Sequence, residues 1–264
     1  MALGFVVHDL LYLTLIGLIY GSAFSAACSG FSWLAQRMPG LVAAPLSAVL
    51  GLITAIAIAG LLTALCPRLE PGRYKMMKGK IFFSWMLRAL IRRSLFFPGI
   101  KWVIFSSNVL RFLALRALGA HVAFNSSFSA DVDVLDPSLL TVEPGAIIGM
   151  RCVLAGHFVQ SGELLLDRVH VGRGALLAGE VIALPGVRIG ERALVKGRAS
   201  ISIDVHVGER ASVGACTAID AHVRIGKGAR VGNGCIIGPR TEIPDGANIA
   251  WGTRFGDKGI AEPD

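Results

Sequence analysis

Residues 171–190 read VGRGALLAGEVIALPGVRIG, and an aliphatic or alanine residue returns at every sixth position. The beat runs Val171, Leu177, Ala183, Ile189, Val195, Ile201, Val207, Val213, Ile219, Ile225, Val231, Ile237, Ile243 and Ile249 without a miss. The residue two places earlier is small or β-branched each time. Glycine follows at 172, 190, 208, 214, 226, 232 and 238, where a corner needs a compact backbone. A longer period lies beneath: Ala175, Ala193, Ala211, Ala229 and Ala247 recur every eighteen residues, as do Val169, Val187, Val205, Val223 and Thr241. A helix repeats at 3.6 residues and a flat strand at 2, so neither gives this pattern. Three short parallel strands per eighteen-residue coil do, with like residues stacked about 4.8 Å apart around an aliphatic prism.

The same hexads begin upstream at Val142, Ile148 and Leu154. Val171 comes seventeen positions after Leu154, where two hexads need twelve. The reading is a five-residue insertion within 160–168, looped out at His157 while the stack continues beneath it.

The N-terminal part is of another kind. Residues 10–34 and 41–66 are apolar and uncharged, and as helices each exceeds the roughly 30 Å hydrocarbon thickness of a bilayer. Six residues, AQRMPG, join them into an antiparallel transmembrane hairpin. Small residues at Gly17, Gly21, Ser25 and Ser29, and at Ser47, Gly51, Ala55 and Ala59, are expected to form the seam between the two. A cleaved signal peptide is the rival for the first span, but the stretch lacks a positive n-region and SAAC at 25–28 is a poor cleavage site.

The formal charge of +8 is concentrated. Residues 67–120 hold eleven Lys/Arg and one acid, Glu70, whereas 121–264 hold fourteen Lys/Arg against sixteen Asp/Glu. Arg68, Arg73, Lys75, Lys78 and Lys80 directly follow the second span and place that side in the cytoplasm. The stretches 81–97 and 100–118, interrupted at Pro98-Gly99, mix Trp85, Phe96, Phe97, Trp102 and Phe105 with Arg88, Arg92, Arg93 and Lys101. That composition reads as amphipathic helices in the interface of an anionic membrane, with membrane lipids as partners. Adjacency to two spans argues against nucleic acid as the partner of the basic cluster. Five cysteines without a CxxC pair suit a reducing compartment. The expected organisation is a transmembrane hairpin (1–66), a basic membrane-interface segment (67–118), a parallel β-helix (119–253) and a C-terminal tail (254–264).

The hexads VGRGALLAG, IGERALVKG and IGKGARVGNGCIIG resemble those of left-handed β-helix hexapeptide-repeat acyltransferases, over roughly residues 119–253. The left hand rests on that resemblance. RALGAHVAFNSS (116–127) is similar to the entry to the first coil in envelope-polymer acetyltransferases and in the C-terminal domains of polylysine-synthetase-like enzymes. In the latter a histidine opens a loop leading back to a V-x-I-G hexad, as His157 leads to VHVG at 169–172. The resemblance implies a homotrimer with sites between prisms. It also implies acyl transfer from an acyl-CoA or acetyl-CoA thioester, or from a carrier protein, to a hydroxyl or amine, with one histidine as base and no metal. Two departures stand out: FVQS (158–161) replaces the usual acidic and aromatic residues after the loop histidine, and WGTRFGDKG (251–259) replaces the usual Gly-x-Pro-Ala ending.

His157 is therefore the candidate general base, with Glu163 and Asp167 as loop carboxylates that orient it or bind substrate. His170, Arg188, His206 and Arg224 fall in one outward column. His170 and His206 are two coils, about 9.6 Å, apart, too far to share a zinc ion, which weakens a carbonic-anhydrase-like reading. Arg188, Lys196, Arg198 and Arg224 are candidates for the phosphates of CoA. The expected function is acyl transfer at the cytoplasmic face of the inner membrane, to an envelope or lipid-linked acceptor, beside other envelope-biosynthesis enzymes. The alternatives are an aminoacyl-transferring, amide-forming domain, or a non-catalytic trimeric scaffold.

Overall fold

The computed structural model describes the backbone of residues 2–97, 99–256 and 259–261. Helices α1 (Ala2–Leu34) and α2 (Gly40–Leu65) form a long antiparallel pair. Both are long and apolar enough to cross a membrane. Helices α3 (Gly79–Leu95), α4 (Ile100–Ser106) and α5 (Asn108–Ala117) follow, and then the repeats wind into a parallel β-solenoid.

The small-residue seam is half as expected. On α2, Ser47, Gly51, Ala55 and Ala59 are all buried. A Cβ on Gly51 would lie 3.0 Å from the Ala23 carbonyl oxygen and 3.2 Å from Ala27 Cβ, so glycine there sets the approach of the helices. On α1, however, Gly17, Gly21, Ser25 and Ser29 face outward. The contact runs instead through Ala23 and Ala27, which lie beside Gly51, two positions round the helix, on the side where Leu15 and Ile19 are also buried.

The basic helices serve the interior as well as the surface. Arg88 donates to the carbonyls of Cys66 (2.9 Å) and Pro67, closing the C-terminal end of α2, where backbone acceptors lack helical partners. Arg111 donates to the Ser126 carbonyl at 2.9 Å and lies over the Phe128 ring, capping the first coil. Phe96 and Phe105 are buried, whereas Phe97 and Trp102 are exposed. The interface composition read from 81–118 is thus shared between a packed underside and an outer face.

In the solenoid, each two-residue strand pairs in parallel with the strand one coil away. Face one aligns His121, Thr141, His170, Arg188, His206, Arg224 and Glu242. Faces two and three align in the same way, and their inward residues fill the prism: Ile148, Leu177, Val195, Val213 and Val231 form one stack, each at most 3% exposed. Each such side chain contributes on the order of 1.5–3 kcal/mol. Cys152 and Cys235 sit inside as small apolar groups. Arg254–Gly256 continue face three, so regular pairing runs past residue 253. Residues 257–258 and 262–264 of the expected tail lie outside the described residues.

The insertion is larger than the hexad count implied. Leu154 belongs to face three and Val171 to face one, the next face of the prism. One six-residue step separates them, so eleven of the seventeen residues are extra. They form an antiparallel hairpin, His157–Gln160 with Glu163–Leu166, which takes Gly72–Lys75 as a third strand. A second break occurs one coil earlier at the same corner. From Val122 to Val142 is twenty residues instead of eighteen, and the extra pair falls at a short 3-10 turn, Pro137–Leu139.

Candidate active site

These two breaks meet. The turn after Val134 places Asp136 directly beside the start of the hairpin, and its carboxylate collects three donors. His157 Nδ1 lies 2.6 Å from Oδ2, the Gly156 backbone N–H donates to Oδ2 at 2.9 Å, and Trp85 Nε1 donates to Oδ1 at 2.9 Å. The Asp136 side chain is 3% exposed and that of His157 25%. A carboxylate held by three donors only accepts, so Nδ1 of His157 carries its proton and Nε2 keeps a free lone pair. No protein group among the described residues partners Nε2.

The surroundings explain why the pair is rigid. One side of the hairpin turns Leu164 and Leu166 into a buried cluster with Leu69, Phe82 and Leu139, against which Trp85 packs. The Trp85 indole lies 4.9 Å from the imidazole, centroid to centroid. Arg92 lies close enough to Asp136 and Asp133 to feel their charge. Burial pushes its guanidinium below its ordinary value, and the two carboxylates offset part of that shift.

The loop carboxylates stand elsewhere. Glu163 is at the hairpin tip, opposite Gln160 and Lys75, with Arg73 at 3.8 Å. It lines an open cleft of about 290 Å³ with Phe158, Gln160, Ser161, Leu165 and Ile203. The Asp167 carboxylate accepts from the Arg168 N–H at 2.7 Å and borders Gly186 of the next coil. Neither touches His157, so the expectation that they orient its imidazole is corrected: Asp136 does so. The hairpin register keeps Glu163 away, since it pairs His157 with Leu166 and puts Glu163 at the far end.

The four basic candidates for CoA phosphates are divided. Arg188 and Arg224 share a groove of about 570 Å³ on face one with His170, His206 and Glu242. Arg224 is already engaged, donating to Asp204 Oδ2 at 2.9 Å, where His222 Nδ1 also lies at 2.9 Å. Lys196 follows a strand of face two, and Arg198 occupies the corner beyond it, paired with Glu180 at 3.0 Å. Asp204 is the hub of a charged cluster. Burial pushes its carboxyl up, but the bonds from His222 and Arg224 outweigh this and hold it below the usual carboxylate range. His206 is pushed down by burial and by the Arg224 charge.

Comparison with known proteins gives the following. No protein-family model matches the chain. A delta-poly-L-ornithine synthetase of Acinetobacter baumannii is 35% identical over 101 residues, 38% of this chain and 7% of that protein. The match thus spans a small fraction of that relative's length. Among solved structures, the acetyltransferase domain of PglB from Neisseria gonorrhoeae, in complex with acetyl coenzyme A, is 19% identical with a TM-score of 0.34. It covers 59% of this chain and 66% of its own. A variant of AntD, an N-acyltransferase from Bacillus cereus, in complex with dTDP and coenzyme A, is 16% identical with a TM-score of 0.41, covering 57% and 86%. A hexapeptide-repeat-containing acetyltransferase of Vibrio cholerae is 14% identical with a TM-score of 0.32, covering 61% and 85%. These three structures are two acetyltransferases and an N-acyltransferase, while the solenoid fold of this chain stands on the strand register described above.

Proposed function

We propose that the chain is a membrane-anchored acyltransferase of the left-handed hexapeptide-repeat kind, with His157 as general base. The observation that carries the reading is the Asp136–His157 pair: a buried carboxylate holds Nδ1–H and leaves Nε2 basic at the one corner where the solenoid is interrupted. In the reaction, the acceptor hydroxyl or amine loses its proton to His157 Nε2 as its oxygen or nitrogen attacks the thioester carbonyl carbon. The tetrahedral adduct then collapses, the carbon–sulfur bond breaks, and the imidazolium returns the proton to the leaving thiolate. Asp136 fixes the tautomer and stabilises the transient imidazolium.

An acyl-CoA is the proposed donor. Its phosphates fit the groove that holds Arg188 with His170 and His206, whereas Lys196 and Arg198 lie on other elements. The acceptor is proposed to be membrane-borne, an envelope or lipid-linked glycan precursor, because helix α3 both walls His157 and packs on the two apolar helices. Localisation in the inner membrane with the solenoid in the cytoplasm, a homotrimeric assembly and association with envelope-biosynthesis enzymes belong to the same proposal. A second reading is favoured by the local likeness to the polyornithine synthetase: an amide-forming domain that passes an aminoacyl group to an amine.

Incubating membranes containing the chain with labelled acyl-CoA donors, and separately with a labelled aminoacyl thioester, tests both. Label in a lipid or glycan from the CoA donor supports the first reading, and label in an amide only from the aminoacyl thioester supports the second. No transfer from either, in membranes where the protein is folded, overturns both.

A further inference from the structure

We infer that the helical layer completes the catalytic site, and that Trp85 of α3 is a positioning residue for the base. The inference rests on the acyl-transfer reading and extends it outside the repeats. Three observations meet at this side chain. Its Nε1–H donates to Asp136 Oδ1 at 2.9 Å and fixes the rotation of the carboxylate whose other oxygen holds His157. Its ring lies 4.9 Å from the imidazole centroid, tilted by 60°, so the indole lies against the group that becomes positive when the acceptor proton moves. Its backbone belongs to a helix that is itself tied to the apolar pair, since Tyr20 of α1 donates from its hydroxyl to the Leu95 carbonyl at the end of α3, at 2.7 Å.

The solenoid supplies Asp136 and His157 from consecutive coils, but a carboxylate with a free Oδ1 would turn about its own axis. Trp85 removes that freedom. The base is therefore set only when α3 lies against the solenoid, which couples the chemistry to the packing of the membrane-side helices. A hydrogen bond to a charged acceptor has a net worth corresponding to roughly ten- to a hundredfold in rate.

The test uses the full chain in lipid nanodiscs, labelled with ¹⁵N-histidine, as wild type, Trp85→Phe and Trp85→Leu. Trp85→Phe keeps a ring beside the imidazole and removes only the donor. It is expected to lower kcat roughly tenfold or more with the KM for acyl-CoA unchanged, and to mix the tautomers of His157 in the ¹⁵N spectrum. Trp85→Leu is expected to lower kcat further. A merely structural residue would lower thermal stability and leave the His157 signals and kcat of the folded protein alone. Wild-type kcat and an unmixed His157 tautomer in Trp85→Phe would overturn the inference. If wild-type protein transfers no acyl group, the reaction assignment fails, while the ¹⁵N comparison still decides whether Trp85 positions His157.

Discussion

Replacing Asp136 by asparagine separates geometry from charge. Asparagine has the shape of aspartate, so the turn at Pro137–Leu139 is kept. Its amide carries one acceptor and one donor group, yet three donors point at this position: Trp85 Nε1–H, Gly156 N–H and His157 Nδ1–H. Whichever way the amide turns, its NH2 meets a donor. Facing His157, it forces the imidazole to carry its proton on Nε2, where the acceptor must be deprotonated. Facing Trp85, it leaves a buried indole N–H unpaired, at about 1–3 kcal/mol, and removes the negative charge that stabilises the imidazolium. A carboxylate-to-amide change behind a catalytic histidine costs about 10⁴ in kcat in the serine-protease triad. With Asp136 3% exposed, a loss of roughly 10³–10⁴ is expected here. The assay is the initial rate of labelled acyl transfer in reconstituted membranes, read together with a thermal unfolding midpoint. A rate within threefold of wild type, from protein with an unchanged midpoint, would show that Asp136 does not orient His157 for the reaction.

Other consequences follow from the fold. Gly214→Ala would drive a Cβ into the Gly232 carbonyl oxygen of the next coil, so overpacking of about 1–3 kcal/mol is expected, measurable as a lower midpoint in thermal or denaturant unfolding. Leu166→Ala empties a fully buried place between hairpin and α3. It is expected to cost about 2–5 kcal/mol and to speed hydrogen exchange of 157–166 selectively. Stability is expected to fall as pH drops below about 6.5. His206 is held below its ordinary value, so the unfolded chain takes up that proton first. The contribution is present above the unfolded value and lost on acidification. Asp204, also held low, adds a loss of the same sign at lower pH. Unfolding midpoints between pH 8 and pH 4 check this, and His206→Gln should flatten the upper part of the curve.

The solenoid was legible because its core is periodic. The residues at Ala175, Ala193, Ala211, Ala229 and Ala247 do one job coil after coil, and the register of face two confirms it. The length of the insertion was not, because six-residue spacing does not say which face a strand returns to. Ala146 carried the missing phase: its neighbour Ile148 stacks on Leu177, twenty-nine residues on, and that offset exceeds one coil by eleven. Asp136 was missed for the same reason. The hexads extend back through Val122, Phe128 and Val134, and the two-residue slip before Val142 marks the corner that holds it. Trp85 left no such trace. It lies in an aromatic, basic helix whose composition suits a membrane interface, and only tertiary packing turns it toward His157.

If His157 is the base of an acyl transfer, removing its imidazole must stop the reaction. His157→Gln in the full chain, reconstituted in membranes and supplied with labelled acyl-CoA and the acceptor found in native membranes, tests it most directly. A rate reduced by at least about 10²–10⁴ is expected, with folding and membrane association intact. A variant that transfers label at the wild-type rate would contradict it.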